Sequence, residues 1–378
     1  MQTLEQPLVE AAPPEWAAAR VSETIGLHQI APYIGKLKPY IAGVLLERFT
    51  HPGEVVLDCF CGSGTIPLEC VARGRSVIAA DANPYAVALT RAKLESPATL
   101  RSALERLDRR LADASRRIVS IDNIPDWVKR FFHPETLVET LAFADECIEQ
   151  DDQFLLACLL GILHHQRPGF LSYPSSHLVP YLRDRKYPRE QYPEMYDKRD
   201  LRPRMVKKVL RTLKSSHPSA WPGDAVARTI ATDIRTLELS TDVDAIVTSP
   251  PYMNALDYLR DNRLRLWFLD RSVANYSPEP TDKRDQFDSL VDAFVVNALA
   301  HLRVGGLCVL VVGENVKRKR LESHPADRML KRIRDSMPGM VLRATIEDTI
   351  PDVRRARRTS IATKKELILV LERRQQNT

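Results

Sequence analysis

Two short strings carry most of the chemistry open to this sequence. Asp58-Cys59-Phe60-Cys61-Gly62-Ser63-Gly64-Thr65 reads as a turn leaving a buried strand. Gly62 and Gly64 let the backbone pack against a ligand, and the helix opening near Thr65 offers free N–H groups. About 20 residues further on, Asp81 closes the next apolar run, where a carboxylate can accept hydrogen bonds from both hydroxyls of a ribose. The plainer alternative is that Asp81 only caps the helix that Asn83-Pro84 opens. The second string, Thr248-Ser249-Pro250-Pro251-Tyr252, follows another apolar run. Its prolines fix the backbone and remove N–H donors, so the carbonyls of Ser249 and Pro250 are left to accept from an amino group. Tyr252 offers a flat face on which a planar ring can stack.

The elements around these strings must bring them to one place. PYIAGVLLERF (39–49) has apolar residues at helical spacing with Pro39 suited to a first turn, and EVVLDCF after His51-Pro52-Gly53 reads as a buried strand. TIPLECVARG follows as a helix closed by Gly74, then SVIAADA (76–82) as a strand and NPYAVALTRAKLE (83–95) as a helix. This strand-helix alternation is the pattern of a parallel sheet covered on both faces. It resumes at VDAIVTSPPY (243–252), passes through SLVDAFVVNALAHL (289–302) and enters GLCVLVVGEN (306–315). MVLRATIEDTI and ELILVLERR predict two strands forming an antiparallel edge. The expected fold is therefore α/β, a doubly wound, mostly parallel sheet of Rossmann-like type. Its expected division is a loosely held lead-in over 1–22, a ligand-binding first part over 23–95, an insertion over 96–231, and a catalytic remainder over 232–378. Within the insertion, 97–165 is helical in pattern, while 166–226 is dense in Pro, Tyr and Arg and is expected as loops. A helical lid over the sheet is one reading of the first half.

The two strings together resemble the S-adenosylmethionine-dependent amino methyltransferases of DNA. In that family the glycine segment reads as an Asp, a variable pair and then Cys-Gly-Ser-Gly-Thr, and this chain has Cys59 where Pro is frequent. LHQIAPYIGKLKP (27–39) is similar to the family motif that meets the methionine end of the cofactor, with Tyr33, Lys36 and Pro39 matching. The resemblance covers 28–95 and 230–372 and implies a class I methyltransferase fold. It implies S-adenosylmethionine as cofactor, held by Tyr33, Lys36, Asp58, Phe60, Gly62, Gly64, Thr65, Asp81 and Asn83, with Asp233 against the adenine ring. For Asp233 a surface turn carboxylate is the competing reading. Ser249, Pro250, Pro251 and Tyr252 are then the catalytic tetrad, and double-stranded DNA with a flipped target base is the substrate. Asp257 and Tyr258 are candidates for the pocket rim, while Trp267 and Phe268 are expected in the core. Ser rather than Asp before Pro-Pro-Tyr implies N4 of cytosine; adenine N6 and base amino groups of RNA are the alternatives. So is a non-catalytic DNA-binding protein on the same scaffold. Direct attack by an amino nitrogen needs no cysteine nucleophile.

Bulk properties fit this reading. The 378 residues carry a net charge of +6, with basic residues gathered in 183–190, 198–214, 316–320 and 354–358, which favours a polyanionic partner. Arg183, Arg185 and Lys186 in the insertion, and Arg354, Arg355, Arg357 and Arg358 near the end, are the expected DNA contacts. Six cysteines without a C-x-x-C pair give neither a disulfide framework nor a metal site. No apolar run approaches the roughly 18 residues that span a bilayer, and the start lacks the order of a secretory signal, so the cytoplasm is the expected compartment. A cognate restriction nuclease is a further expected partner.

Overall fold

The computed structural model describes residues 7–18, 25–33, 35–165, 169–174, 186–213, 224–251, 262–272, 283–313, 324–350 and 364–375. Eight strands form one sheet: β1 (Leu8–Ala11), β2 (Val55–Asp58), β3 (Ser76–Asp81), β4 (Ala227–Ala231), β5 (Val243–Thr248), β6 (Leu302–Gly313), β7 (Met340–Ile350) and β8 (Lys364–Arg373). Their order is β1-β7-β8-β6-β5-β2-β3-β4. All pairings are parallel except those of β8, which runs antiparallel to both β6 and β7. The chain winds outward from β2 through β3 to β4, then returns to β5 on the other side of β2. That reversal makes the carboxyl ends of β2 and β5 a topological switch point, where such sheets leave a crevice.

Twelve α-helices are described: α1 (Glu15–Ala18), α2 (Pro39–Phe49), α3 (Thr65–Ala72), α4 (Pro84–Leu94), α5 (Leu100–Ala114), α6 (Asp126–Lys129), α7 (Pro134–Glu149), α8 (Gln153–Leu163), α9 (Leu201–Leu213), α10 (Arg263–Leu269), α11 (Lys283–Asn297) and α12 (Pro325–Ser336). Strand residues alternate between two cores, as a pleat requires. Val56, Val77, Val247 and Val309 join the helices α2, α3, α4, α7 and α8 on one face. Leu57, Ile246, Cys308 and Leu310 join α11 and α12 on the other. Local chemistry sets the helix ends: Pro84 follows the N-cap Asn83, and Thr99 and Ser102 form a capping box at α5.

Several expectations need correction. Residues 1–22 are not simply a loose lead-in, because Leu8–Ala11 extends the sheet by pairing with Ala344–Glu347 of β7, and Trp16 is buried. Four residues give too short a pattern to read, and the partner lies more than three hundred residues away in the chain. The strand pair β7 and β8 is antiparallel as expected, with β1 lying beyond it at the edge. The 96–231 insertion boundary also shifts, since Ala227–Ala231 is strand β4, paired along β3. Within 166–226, expected as loops, Leu201–Leu213 is helical: Leu201, Met205, Lys208, Val209, Thr212 and Leu213 are buried at helical spacing. The density of Lys and Arg on the other positions hid that stripe.

The middle helices belong to the sheet's own core. Every residue of α8 from Phe154 to Leu163 is buried, which is the property of a helix enclosed on all sides. Arg265 of α10 donates from Nε to the Leu160 carbonyl and from Nη2 to the His164 carbonyl, at 3.1 Å each, closing the end of α8. No described helix is long and apolar enough to cross a membrane.

Gly161 shows how tightly α8 is held against the segment before α2, for a Cβ there would lie 2.2 Å from the Ile30 carbonyl oxygen and 3.0 Å from Lys208 Cε. Gly161→Ala would ordinarily stabilise a helix by about 1 kcal/mol. Here it is expected to destabilise the protein by about 1–3 kcal/mol, because backbone must move to admit the methyl. Urea denaturation of the two proteins checks this, and an unchanged or raised midpoint refutes the close approach.

Candidate active site

The carboxyl ends of β2 and β5 are joined by side chains before any ligand is considered. Thr248 Oγ1, the last residue of β5, donates to Asp58 Oδ1, the last residue of β2, at 2.6 Å. The Phe60 N–H reaches Thr248 Oγ1 at 3.2 Å and Asp58 Oδ1 at 3.4 Å. Asp58 is fully buried, and desolvation pushes its carboxyl up to about 7 against the hydrogen bonds from Thr248 and Phe60. Thr248 stands inside the second string, yet its role was not legible there.

After Phe60 the chain turns through two left-handed glycines, Gly62 at φ 51° and Gly64 at φ 71°. Gly64 is the N-cap of α3, and a Cβ on it would meet Thr90 Oγ1 at 2.7 Å and Thr90 Cα at 2.8 Å, so no side chain fits. Gly62 faces the ring of Tyr33, whose nearest carbon would be 3.4 Å from a Cβ. The Gly62 N–H donates to Asp81 Oδ2 at 2.9 Å, and the Asn83 N–H donates to Asp81 Oδ1 at 2.8 Å. Each Asp81 oxygen therefore keeps a lone pair for a ligand hydroxyl. Burial raises the Asp81 carboxyl, opposed by these two backbone bonds and reinforced by the charge of Asp233. Asp81 is not the helix cap. Asn83 is, its side-chain oxygen accepting from the Tyr85 N–H at 3.0 Å.

That bond fixes the orientation of the Asn83 amide, since its oxygen must face Tyr85 N–H. Its Nδ2 is buried without a hydrogen-bond partner among the described residues, beside the pocket it helps to line. The same pocket is lined by Tyr33, Gly35, Lys36 and Leu37, by Asp58, Phe60, Gly62 and Thr65, by Asp81, and by Ser249 and Pro251. Donor-side and acceptor-side strings thus share one cavity. An adenosyl ligand matches its chemistry: paired acceptors on Asp81, an orphaned amide donor on Asn83, and aromatic walls in Tyr33 and Phe60. S-adenosylmethionine is a group that these residues fit.

On the acceptor side, the Ser249 hydroxyl donates to the Val311 carbonyl at 3.1 Å. Its proton is thereby committed to β6, and its oxygen is left as an acceptor. Pro250 is buried and Pro251 exposed, while Tyr252 lies outside the described residues. Asp233 sits just past β4 as an exposed cap, accepting from the Arg235 N–H at 2.8 Å and pairing with its guanidinium at 3.1 Å. It does not line the pocket, contrary to its expected place against an adenine ring. Of the expected DNA contacts, Lys186 is exposed, with Nζ 5.4 Å from the Tyr187 ring centroid. Arg183, Arg185, Arg354, Arg355, Arg357 and Arg358 lie outside the described residues, as do Asp257 and Tyr258. Trp267 and Phe268 are buried in the core, as expected.

All six cysteines are buried and free, and desolvation pushes the thiols of Cys59, Cys61, Cys70, Cys147, Cys158 and Cys308 upward. None has the thiolate character of a nucleophile. No cluster of His, Cys, Asp and Glu able to hold a metal occurs among the described residues.

Asp58 gives a pH signature. Its folded pKa near 7 lies above the ordinary 3.8, so its protonated form favours the fold below about pH 4 and that stabilisation is lost as pH rises through about 7. Asp58→Asn imitates the protonated carboxyl. The ligand-free wild type is expected to lose Tm relative to this variant between about pH 5.5 and pH 8.5, by a few degrees, as about 1 kcal/mol moves Tm by roughly 2–4 °C in a domain of this order of size. Parallel Tm-pH curves for the two proteins would remove the buried acid from the account.

Residues 39–92, which span α2, the glycine turn and most of α4, match the family described as DNA methylase, the N6/N4 type. A Type II methyltransferase, M.MjaII of Methanocaldococcus jannaschii, is 33% identical over 69 residues, 18% of this chain and 13% of that relative's length. Among solved structures, TrmN from Thermus thermophilus aligns over 92% of this chain and 52% of its own, with 15% identity and a TM-score of 0.38. The rRNA methyltransferase aviRa from Streptomyces viridochromogenes aligns over 95% and 93%, with 12% identity and a TM-score of 0.34. Over its glycine-turn segment the chain is similar to the N6/N4 DNA methylases, and the sheet that carries this segment is mostly parallel.

Proposed function

We propose that the protein transfers a methyl group from S-adenosylmethionine to the exocyclic N4 amino group of cytosine in a specific sequence of double-stranded DNA. The observation that carries this reading is the single pocket lined both by Gly62, Asp81 and Asn83 and by Ser249 and Pro251. S-adenosylmethionine, when bound, supplies an electrophilic methyl group on a sulfonium. Asp81 and Asn83 hold the adenosyl end, and Tyr33, Gly62 and Phe60 shape its walls. The Ser249 oxygen and the carbonyls of Ser249 and Pro250 accept from the target amino group and aim its nitrogen at the methyl, where proximity and alignment supply much of the acceleration. As the carbon–nitrogen bond forms, the bond from the methyl carbon to sulfur breaks and a neutral thioether is left, and the nitrogen sheds its proton to water with or after the transfer. Since the thiols are buried, no covalent base adduct enters. Tyr252 stacks on a base taken out of the helix, because the amino group inside a duplex is shielded.

Serine ahead of Pro-Pro-Tyr supports cytosine over adenine, and the match of residues 39–92 to the DNA methylase family supports DNA over RNA. Sequence-specific methylation of this kind protects DNA from a nuclease of the same specificity, so a cognate restriction nuclease is the partner to seek.

The test is to supply methyl-labelled S-adenosylmethionine with DNA and with RNA, then to identify the modified nucleoside by mass. N4-methylcytosine in DNA is expected. N6-methyladenine would replace the base assignment, label in RNA would replace the substrate, and methyl on carbon 5 would defeat the mechanism. Tyr252→Ala is expected to lose about 1–3 kcal/mol of stacking, seen as reduced turnover with cofactor affinity retained.

Neutralising Arg183, Arg185 and Lys186 together is expected to weaken DNA binding. The slope of log affinity against log salt should flatten by about 0.9 for each phosphate that is no longer neutralised. An unchanged slope would move the DNA surface elsewhere, with Arg354–Arg358 the next segment to test.

A further inference from the structure

Three lysine amines stand beside the end of the pocket that Lys36 and Ser63 line, and none of them has a carboxylate partner among the described residues. Lys93 of α4 is 1% exposed and donates to the Ser63 carbonyl in the glycine turn. Lys208 of α9 is 2% exposed and donates to the Gln29 carbonyl at 2.9 Å. Lys36 donates to the His28 carbonyl at 2.7 Å. Ser63 and Lys36 themselves line the pocket, and the carbonyls of His28 and Gln29 lie in the stretch that leads to the lining residue Tyr33.

No carboxylate among the described residues forms an ion pair with these amines. Lys93 senses Lys36, Cys61 and Glu69; Lys208 senses Cys158, Arg211 and Lys36. The thiols are held protonated by burial. Glu69 is already engaged, with His28 Nε2 at 2.6 Å and with the Arg73 guanidinium. Burial keeps His28 neutral by pushing it down to about 4. Burial also lowers all three lysines, Lys208 to about 8 and Lys93 far below its ordinary value. A buried cation without an anion is costly, whereas apolar side chains of the same length fill such positions readily. The arrangement makes sense when the missing anion arrives with a ligand.

We propose that Lys93 and Lys208 are positioning residues which, with Lys36, form a buried bed of amines that braces the glycine turn and the stretch leading to Tyr33, takes up protons as an anion arrives, and selects a ligand carrying a carboxylate at its Lys36 end. This rests on the reading of the pocket as an S-adenosylmethionine site, whose amino-acid end supplies that carboxylate. Lys93 and Lys208 act from behind the wall, through the Ser63 and Gln29 carbonyls and through their field. Lys36 alone of the three faces the ligand.

The experiment measures the affinity of the full chain for S-adenosylmethionine and for its decarboxylated analogue, which keeps the adenosine, the sulfonium and the amine. Lys93→Met and Lys208→Met retain the length and apolar stem of the side chain and remove the charge. In each variant the preference for the carboxylated ligand over the decarboxylated one is expected to fall by about tenfold, the factor that corresponds to ~1.4 kcal/mol. A side chain that served packing alone would weaken both ligands alike, so an unchanged preference in the variants overturns the proposal. Should one variant fail to fold, the other decides. Failure of the wild type to bind either ligand would instead sink the reading of the pocket, and the proposal with it.

Discussion

The bond between Thr248 and Asp58 is the constraint on which the site depends. Both residues end neighbouring parallel strands, β5 and β2, whose pairing is set just before at Leu57↔Ile246 and Val56↔Ala245. One hydroxyl donating to one carboxylate, with the Phe60 N–H closing the group, locks the exits of those strands at the switch point. Everything that follows each exit inherits this registration: the glycine turn on one side, the Ser-Pro-Pro segment on the other. The lock requires a buried acid, and the surrounding bonds only partly offset its desolvation. Such a compromise is common where geometry must be held for a ligand rather than for stability alone.

A second level of support comes from the helices between β3 and β4. The segment that carries Tyr33 has little regular structure beyond the short turn Gly26–Gln29. It is held from outside: Tyr85 Oη donates to the Pro32 carbonyl at 2.8 Å, Lys208 reaches Gln29, and Gly161 lets α8 meet Ile30. The helical region therefore braces, from behind, the segment that brings Tyr33 to the pocket. A lid over the sheet would need exposed, separable helices, and α8 is enclosed on every side.

Much of this was legible in the sequence, for definite reasons. Buried parallel strands read as short apolar runs punctuated by Gly and Pro, so β2, β3, β5 and β6 stood out, and with them the turn and the Ser-Pro-Pro edge. Asp81 was legible because it ends a strand. What escaped was chemistry whose partner is backbone far away. Lys93 and Ser63 are 30 positions apart, and Lys208 and Gln29 are 179 apart, with carbonyls as acceptors, so no pattern of side chains announces them. Strand β4 escaped for a related reason: its residues are exposed or half-buried at the sheet's edge, and ARTIA carries no apolar run. Asp233 was placed by resemblance on the ligand, while the local turn claims its carboxylate for Arg235.

The edge strand β1 has a consequence for how the molecule is made. Leu8–Ala11 leaves the ribosome long before β7, its sole strand partner among the described residues. Between those moments the chain must hold an unpaired strand while more than three hundred residues are translated, at about 5–20 residues per second. Closure of that edge is a late step, set by the meeting of segments far apart in sequence and slow for that reason. The sheet's outer margin thus reports on the progress of synthesis. A nascent chain halted before β7 has its glycine turn already translated and its first strand still unmatched.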